Sequence, residues 1–277
     1  MAPTAHRVIV GIDGSPAAAA ALAWAAREAR LRGAELVAWT IVDHRGLPAT
    51  EFFSKEATGG YPVTIRRGRG DAATALAAAA RGADLLVVGS RSRGSVAGLL
   101  LGSVSRTCLA HAPCPVVVVH PDRPGTTVHG RVVVGVDMSE HSHQALRVAA
   151  QEARFRGAAL EVVHAVHWDH LGTEMLTPTV EQLIDWGHRL IAAEFVATGV
   201  EGIPVVVHGH AAEVLVRHSA DADLLVLGTR GRGQVADLLL GSTSAHCARH
   251  AHCPVMIVGC TGDAPQRAPA HAHGMGT

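Results

Sequence analysis

Two stretches of this chain say the same thing twice. RVIVGIDGS at residues 7–15 returns as RVVVGVDMS at 131–139, and AREARLRGAEL, which comes after the first, is answered by AQEARFRGAAL after the second. Farther on, the 38 residues that begin GADLLVVGS at Gly82 return as those that begin DADLLVLGT at Asp221. The first pair of blocks is offset by 124 positions and the second by 139, so the second copy carries fifteen extra residues between them. A chain built this way folds as two copies of one unit, each with its own core.

Within each copy, short β-branched runs alternate with longer Ala, Leu and Arg segments, the order of βαβ units on a parallel sheet. In the first copy the strands are expected at residues 8–12, 36–42, 62–67, 85–89 and 116–120, and the helices at 16–32, 72–81 and 96–110. Pro16 after Ser15 suits a helix start, and Gly33 and Gly157 suit helix ends. The runs LLVV, VVVV and LLVL are apolar on both faces, as strands covered by helices on both sides must be. Bare apolar edges at the last strands would invite aggregation, so 116–119 and 255–258 are expected to pair with each other or with another chain.

The insertion in the second copy, TPTVEQLIDWGHRLIAAEFVATG, reads as a full amphipathic helix, whereas the first copy has a stunted or missing one at 43–61. The expected division is a first domain at 1–120, a linker at 121–130, a second domain at 131–260 and a disordered tail from 261 to 277.

Composition narrows the function. With 48% hydrophobic and 17% charged residues the chain can bury two cores, and with 3% aromatics Ala, Val and Leu must fill them. A formal net charge of zero lacks the basic stripe that nucleic acid demands. The longest apolar run, 17–26, is half of the roughly 20 residues that span a bilayer. MAPTAHRVIV runs straight into a strand pattern without a signal peptide, and five cysteines suit reduced thiols, so a cytoplasmic protein is expected.

In a doubly wound sheet, ligands bind beyond the carboxyl ends of the strands where the strand order reverses. The first and fourth strands meet there. They end at Asp13 and Gly89 in the first copy, and at Asp137 and Gly228 in the second. In the second copy the next loop reads Gly228, two residues, Gly231, nine residues, Gly241, Ser242. A loop of this kind presents backbone amides to phosphate at a helix start, and Arg230 and Arg232 can add charge. The bland readings are that the glycines merely make turns and that Asp13 and Asp137 cap the next turn or helix.

Cys108 and Cys114 recur as Cys247 and Cys253 near histidines, but their spacing is looser than structural zinc favours, so they are read as packing thiols and no metal site is assigned. Neither a Walker lysine nor a nucleophile elbow nor HExxH is present, and the chain is not expected to be an enzyme, slow ATP hydrolysis aside.

At these residues the chain resembles the ATP-binding branch of the universal stress protein family, whose pattern is Gly, two residues, Gly, nine residues, Gly-Ser/Thr. The resemblance implies two tandem doubly wound sheets of five parallel strands in the order 3-2-1-4-5, a Rossmann-like fold akin to the adenine nucleotide alpha hydrolases. It implies ATP with Mg or Mn as ligand, an internal pseudo-dimer through the fifth strands with a homodimer left open, and a role in stress response through unknown protein partners. By the same resemblance Asp13 and Asp137 contact the nucleoside, the backbone at Ile41 and Ala165 lies beside adenine, and Gly89 and Gly228 support the ribose. The triphosphate is expected on Gly102, Ser103, Val104 and Ser105 in the first copy, and on Gly231, Gly241, Ser242, Thr243 and Ser244 in the second. Ser92 stands where the second glycine belongs, and Met138 stands where the first copy has Gly14. The competing expectation is a scaffold of this fold that binds no nucleotide.

Overall fold

The computed structural model describes residues 6–42, 57–90, 101–123, 125, 127–167, 179–230 and 240–259. The first half runs β1 (Arg7–Ile12), α1 (Pro16–Arg32), β2 (Glu35–Val42), β3 (Val63–Arg69), α2 (Ala72–Ala79), β4 (Leu85–Gly89), α3 (Ser103–His111) and β5 (Val116–Val119). The second runs β6 (Arg131–Gly135), α4 (Glu140–Arg156), β7 (Ala159–Val166), α5 (Val180–Thr198), β8 (Ile203–His208), α6 (Ala211–His218), β9 (Leu224–Gly228), α7 (Ser242–His250) and β10 (Val255–Val258).

The strands form one ten-stranded sheet in the order β3-β2-β1-β4-β5-β10-β9-β6-β7-β8. Each half keeps the expected 3-2-1-4-5 order with parallel pairing. The two five-stranded sheets fuse where β5 and β10 pair antiparallel, Val117 opposite Met256. Both strands are buried along their whole length, so each covers the apolar edge of the other.

Alternation along the strands sends side chains into two cores. Val8, Val10 and Ile12 face α1, α4 and α5 on one side of the sheet. Ile9, Leu86 and Val88 face α2, α3, α6 and α7 on the other. Asp84, just before β4, accepts from the Arg7 amide at 2.6 Å, and Asp223 accepts from the Arg131 amide at 3.1 Å, so the repeated Ala-Asp pairs pin the starts of the central strands together.

Local chemistry accounts for the helix limits. Ser15 and Ser139 cap α1 and α4, accepting from Ala18 and Ser142 at 3.1 Å, and Gly33 and Gly157 end them at φ 61° and 60°. Several expected boundaries shift, and α3, expected from 96, starts at Ser103 after its N-cap Gly102, while 96–100 lie outside the described residues. α2 stops at Ala79 and not at 81, because the chain turns through Gly82 at φ 70°. β3 continues to Arg69, since it pairs with β2 as far as Val42. β5 ends at Val119, and His120 instead makes an isolated bridge to Arg123.

The insertion forms α5 with a Thr179/Gln182 capping box, as expected. Ala57–Gly60 form a turn, while 43–56, where the stunted helix is expected, and the tail from 261 lie outside the described residues. The connection between the halves docks on the second half: Arg123 Nη1 donates to His250 O at 2.8 Å and Ala251 O at 2.9 Å at the end of α7, and His120 Nε2 lies 2.9 Å from Ala248 O.

Candidate functional site

β1 and β6 end in matching turns. Asp13 Oδ1 accepts from the Ser15 amide at 2.9 Å, while Asp137 Oδ1 accepts from the Ser139 amide at 3.1 Å and from the Ser139 hydroxyl at 2.6 Å. One oxygen of each carboxylate therefore holds its own turn, as the bland reading expects. The residue between is left-handed in both copies, Gly14 at φ 77° and Met138 at φ 64°.

β4 and β9 end beside these turns. A Cβ on Gly89 would lie 2.7 Å from the Ala17 carbonyl carbon, and one on Gly228 would lie 2.8 Å from His141 O. The glycines are required by the first turns of α1 and α4, whatever else they serve. Ser92 and Gly231 lie outside the described residues.

Where the chain is described again, Gly102 and Gly241 are the N-caps of α3 and α7, and neither helix has a side-chain cap. The amides of these two glycines are bound, to Ser90 O at 2.8 Å and Thr229 O at 2.7 Å. The next amides that close the helices belong to Arg106 and Ala245, bonding Gly102 O and Gly241 O. Those of Ser103, Val104 and Ser105, and of Ser242, Thr243 and Ser244, have no intrahelical partner and sit at the positive end of a helix dipole. The Ser105 and Ser244 hydroxyls turn inward instead, each donating at 2.7 Å to the carbonyl of Gly89 or Gly228.

In the first half these parts share one pocket. Asp13, Gly89, Gly102, Val104 and Ser105 line it together with an apolar wall of Trp39, Ile41 and Leu76. The pocket is thus apolar at the end of β2 and polar at the start of α3. In the second half the residues in register with Trp39 and Ile41 are Val163 and Ala165, which are smaller. Beside Ala165, the buried His164 holds Val136 O through Nδ1 at 2.8 Å, and the His167 ring stacks 3.8 Å from His210.

Matches to a family model cover residues 4–59, 48–120 and 129–259, and the family is described as the universal stress protein family. The chain belongs to the universal stress protein family. A universal stress protein of Mycobacterium tuberculosis is 34% identical over 285 residues, covering 90% of this chain and 95% of its own length. One from Mycolicibacterium smegmatis is 33% identical over 291 residues, covering 92% and 97%. Among solved structures, a universal stress protein from Archaeoglobus fulgidus superposes with a TM-score of 0.68 at 20% identity, covering 94% of this chain and all of that one. At that identity the likeness speaks for the fold alone.

In this universal stress protein, Asp13, Ile41, Gly89, Gly102, Val104 and Ser105 line one pocket. Among the described residues no three His, Cys, Asp or Glu side chains form a set able to hold a metal ion, and no helix is long and apolar enough to cross a membrane. Burial pushes the thiols of Cys108, Cys114, Cys247 and Cys253 up to about 12, in keeping with packing groups. Burial first, and then the Arg230 charge, lower the pKa of His141 in the first turn of α4. Sequence reasoning passed over Glu194, a carboxylate with no exposed surface on α5. Its signal was an acidic residue on the same helical face as Leu190 and Ile191.

Proposed function

We propose that this universal stress protein is a nucleotide-dependent regulator that takes ATP, accompanied by Mg or Mn, beyond the carboxyl ends of the strands in each half. The observation that carries the reading is the first-half pocket, where an uncapped helix start and an Asp-bearing turn share one cavity with an indole and two aliphatic side chains. A purine fits the apolar wall of Trp39, Ile41 and Leu76, and phosphate fits the amides of Ser103, Val104 and Ser105. Asp13 then faces the sugar between them. By the internal repeat, Asp137, Ala165, Gly228, Gly241, Ser242, Thr243 and Ser244 take the same roles in the second half.

The divalent ion is expected to ride on the phosphates. Asp13 is the single acidic side chain among the described residues that line the pocket, too few donors for a protein-held cation. With no catalytic base or nucleophile assigned, the protein acts by what it binds: occupancy changes the surface offered to partner proteins.

A second reading, a scaffold of the same fold without nucleotide, is favoured by one specific observation. Packing and turn formation alone account for Gly89, Gly228 and one oxygen of each Asp.

The experiment is to denature freshly purified protein, identify and count the nucleotide released per chain, then titrate the stripped protein with ATP and magnesium. About two ATP per chain supports sites in both halves. No release and no uptake on adding ATP establishes the scaffold reading.

A further inference from the structure

The second half contains a buried polar cluster, and the first half has Gly14, Ala18 and Ala19 where the members of that cluster next to Asp137 stand. Glu194 on α5 has no exposed surface, yet its carboxylate reaches the start of α4. Its Oε1 accepts from the Met138 amide at 2.7 Å and from the Ser142 hydroxyl at 2.9 Å, and its Oε2 lies 3.1 Å from His143 Nε2. All three partners fall within six residues of Asp137. A carboxylate there also complements the positive end of the α4 dipole.

We infer that Glu194 is a positioning residue of the second nucleotide site, a clamp carried in by α5 that holds the left-handed Met138 and thereby the turn that aims Asp137. The inference rests on the nucleotide-binding reading above. In the first half the matching residues are Gly14, Ala18 and Ala19, which offer neither a side-chain hydroxyl nor an imidazole to a clamp. Gly14 reaches φ 77° at little cost, whereas a residue with a Cβ is strained there. The methionine, its two polar neighbours and the added helix therefore form one device: side chains from the insertion stabilise a turn that glycine stabilises elsewhere.

The consequence is specific to one site. Asp137 Oδ1 accepts two bonds from Ser139, the residue after Met138, so release of the Met138 amide loosens these two bonds together. Among the described residues, the partners named for the Glu194 side chain, Met138, Ser142 and His143, all belong to the second half.

The test tracks ATP binding at each site separately. Hydrogen exchange of the first turns of α3 and α7 is measured, peptide by peptide, as ATP and magnesium chloride are titrated into the full chain. In Glu194→Ala, the affinity reported by α7 is expected to fall about tenfold while that reported by α3 is unchanged. The conservative Glu194→Gln keeps an oxygen for Met138 and Ser142 and restores most of the affinity. Adding Met138→Gly to Glu194→Ala restores it as well, because glycine holds the turn without a clamp. An unchanged α7 affinity in Glu194→Ala overturns the inference, as does failure of Met138→Gly to rescue. Absence of ATP protection at α7 in the wild type overturns the second-site reading itself and the inference with it.

Discussion

Arg32 Nη2 lies 2.5 Å from Glu152 Oε1, joining the end of α1 in the first half to α4 in the second. Arg156 Nη2 makes the reciprocal bond to Glu28 Oε2 at 2.6 Å. Within each helix, Glu28 pairs with Arg32 at 2.7 Å and Glu152 pairs with Arg156. Four charges of alternating sign thus close a ring at the pseudo-twofold axis, with the carboxylates all but inaccessible. The desolvation of such a ring offsets most of its Coulomb gain, but removing one member strands the others. Glu152→Ala is expected to lower unfolding stability by about 3–5 kcal/mol in urea titrations.

The ring also sets a pH dependence. Burial works to raise the pKa of Glu152, but the charges of Arg32 and Arg156 outweigh it and hold the carboxyl below its ordinary value. A depressed carboxyl contributes stability that is fully present above the unfolded glutamate pKa of about 4.3 and is lost as pH falls through the folded value. The stability gap between wild type and Glu152→Gln should be flat near neutrality and close as the pH drops below about 4. A gap that stays constant to lower pH would mean that the ring is not what protonation breaks.

A test at Gly89 and Gly228 separates packing from ligand binding. Each would place a Cβ under 3 Å from backbone atoms of α1 or α4, which cannot turn aside as a flexible side chain can. Gly89→Ala and Gly228→Ala are each expected to cost about 1–3 kcal/mol in denaturant unfolding, with or without nucleotide. If either change is neutral in stability yet abolishes ATP binding, the glycine is there for the ligand and not for the helix.

Much of this architecture is legible in the sequence because its signals are local. α1 is found at Pro16–Arg32, as expected, because a serine cap, a first-turn proline and a terminal glycine bound it. The junction of β5 with β10 comes from a physical demand that any apolar edge be covered. The ion ring is not legible in this way. Glu28, Arg32, Glu152 and Arg156 sit in the repeated helical blocks, but nothing in a linear pattern says that the two helices cross there. Glu194 itself shows as an acidic residue on the apolar face of α5, but its partners escape a linear reading for the same reason, since they are fixed by how α5 packs. The serine positions are legible, but the direction of their hydroxyls is not.

That direction leads to a further expectation. Ser105 and Ser244 each donate to the carbonyl that ends β4 or β9, tying α3 and α7 to the sheet. Ser105→Ala and Ser244→Ala should each cost about 1 kcal/mol of stability, read from the urea midpoint, because the carbonyl that ends the strand loses its hydroxyl donor. ATP affinity should fall far less, since the backbone amides at these positions are retained. The reverse pattern, affinity lost at full stability, would mean that the hydroxyls turn to the phosphates when nucleotide binds.

The buried thiols provide the last expectation. Cys108, Cys114, Cys247 and Cys253 are all buried, and desolvation pushes each thiol up to about 12. The thiolate is the nucleophile, so at about pH 8 these four groups are almost wholly in their unreactive form as well as shielded. Native protein treated with an alkylating reagent at that pH should leave all four unmodified in peptide mass spectrometry, and denatured protein should label all four. Because the thiols pack in the core between the sheet and α2, α3, α6 and α7, labelling in the native state would report opening of that layer. Rapid native labelling at Cys108 or Cys247 would show that α3 or α7 leaves the sheet without global unfolding, and the first-turn amides offered to phosphate would then not be preorganised.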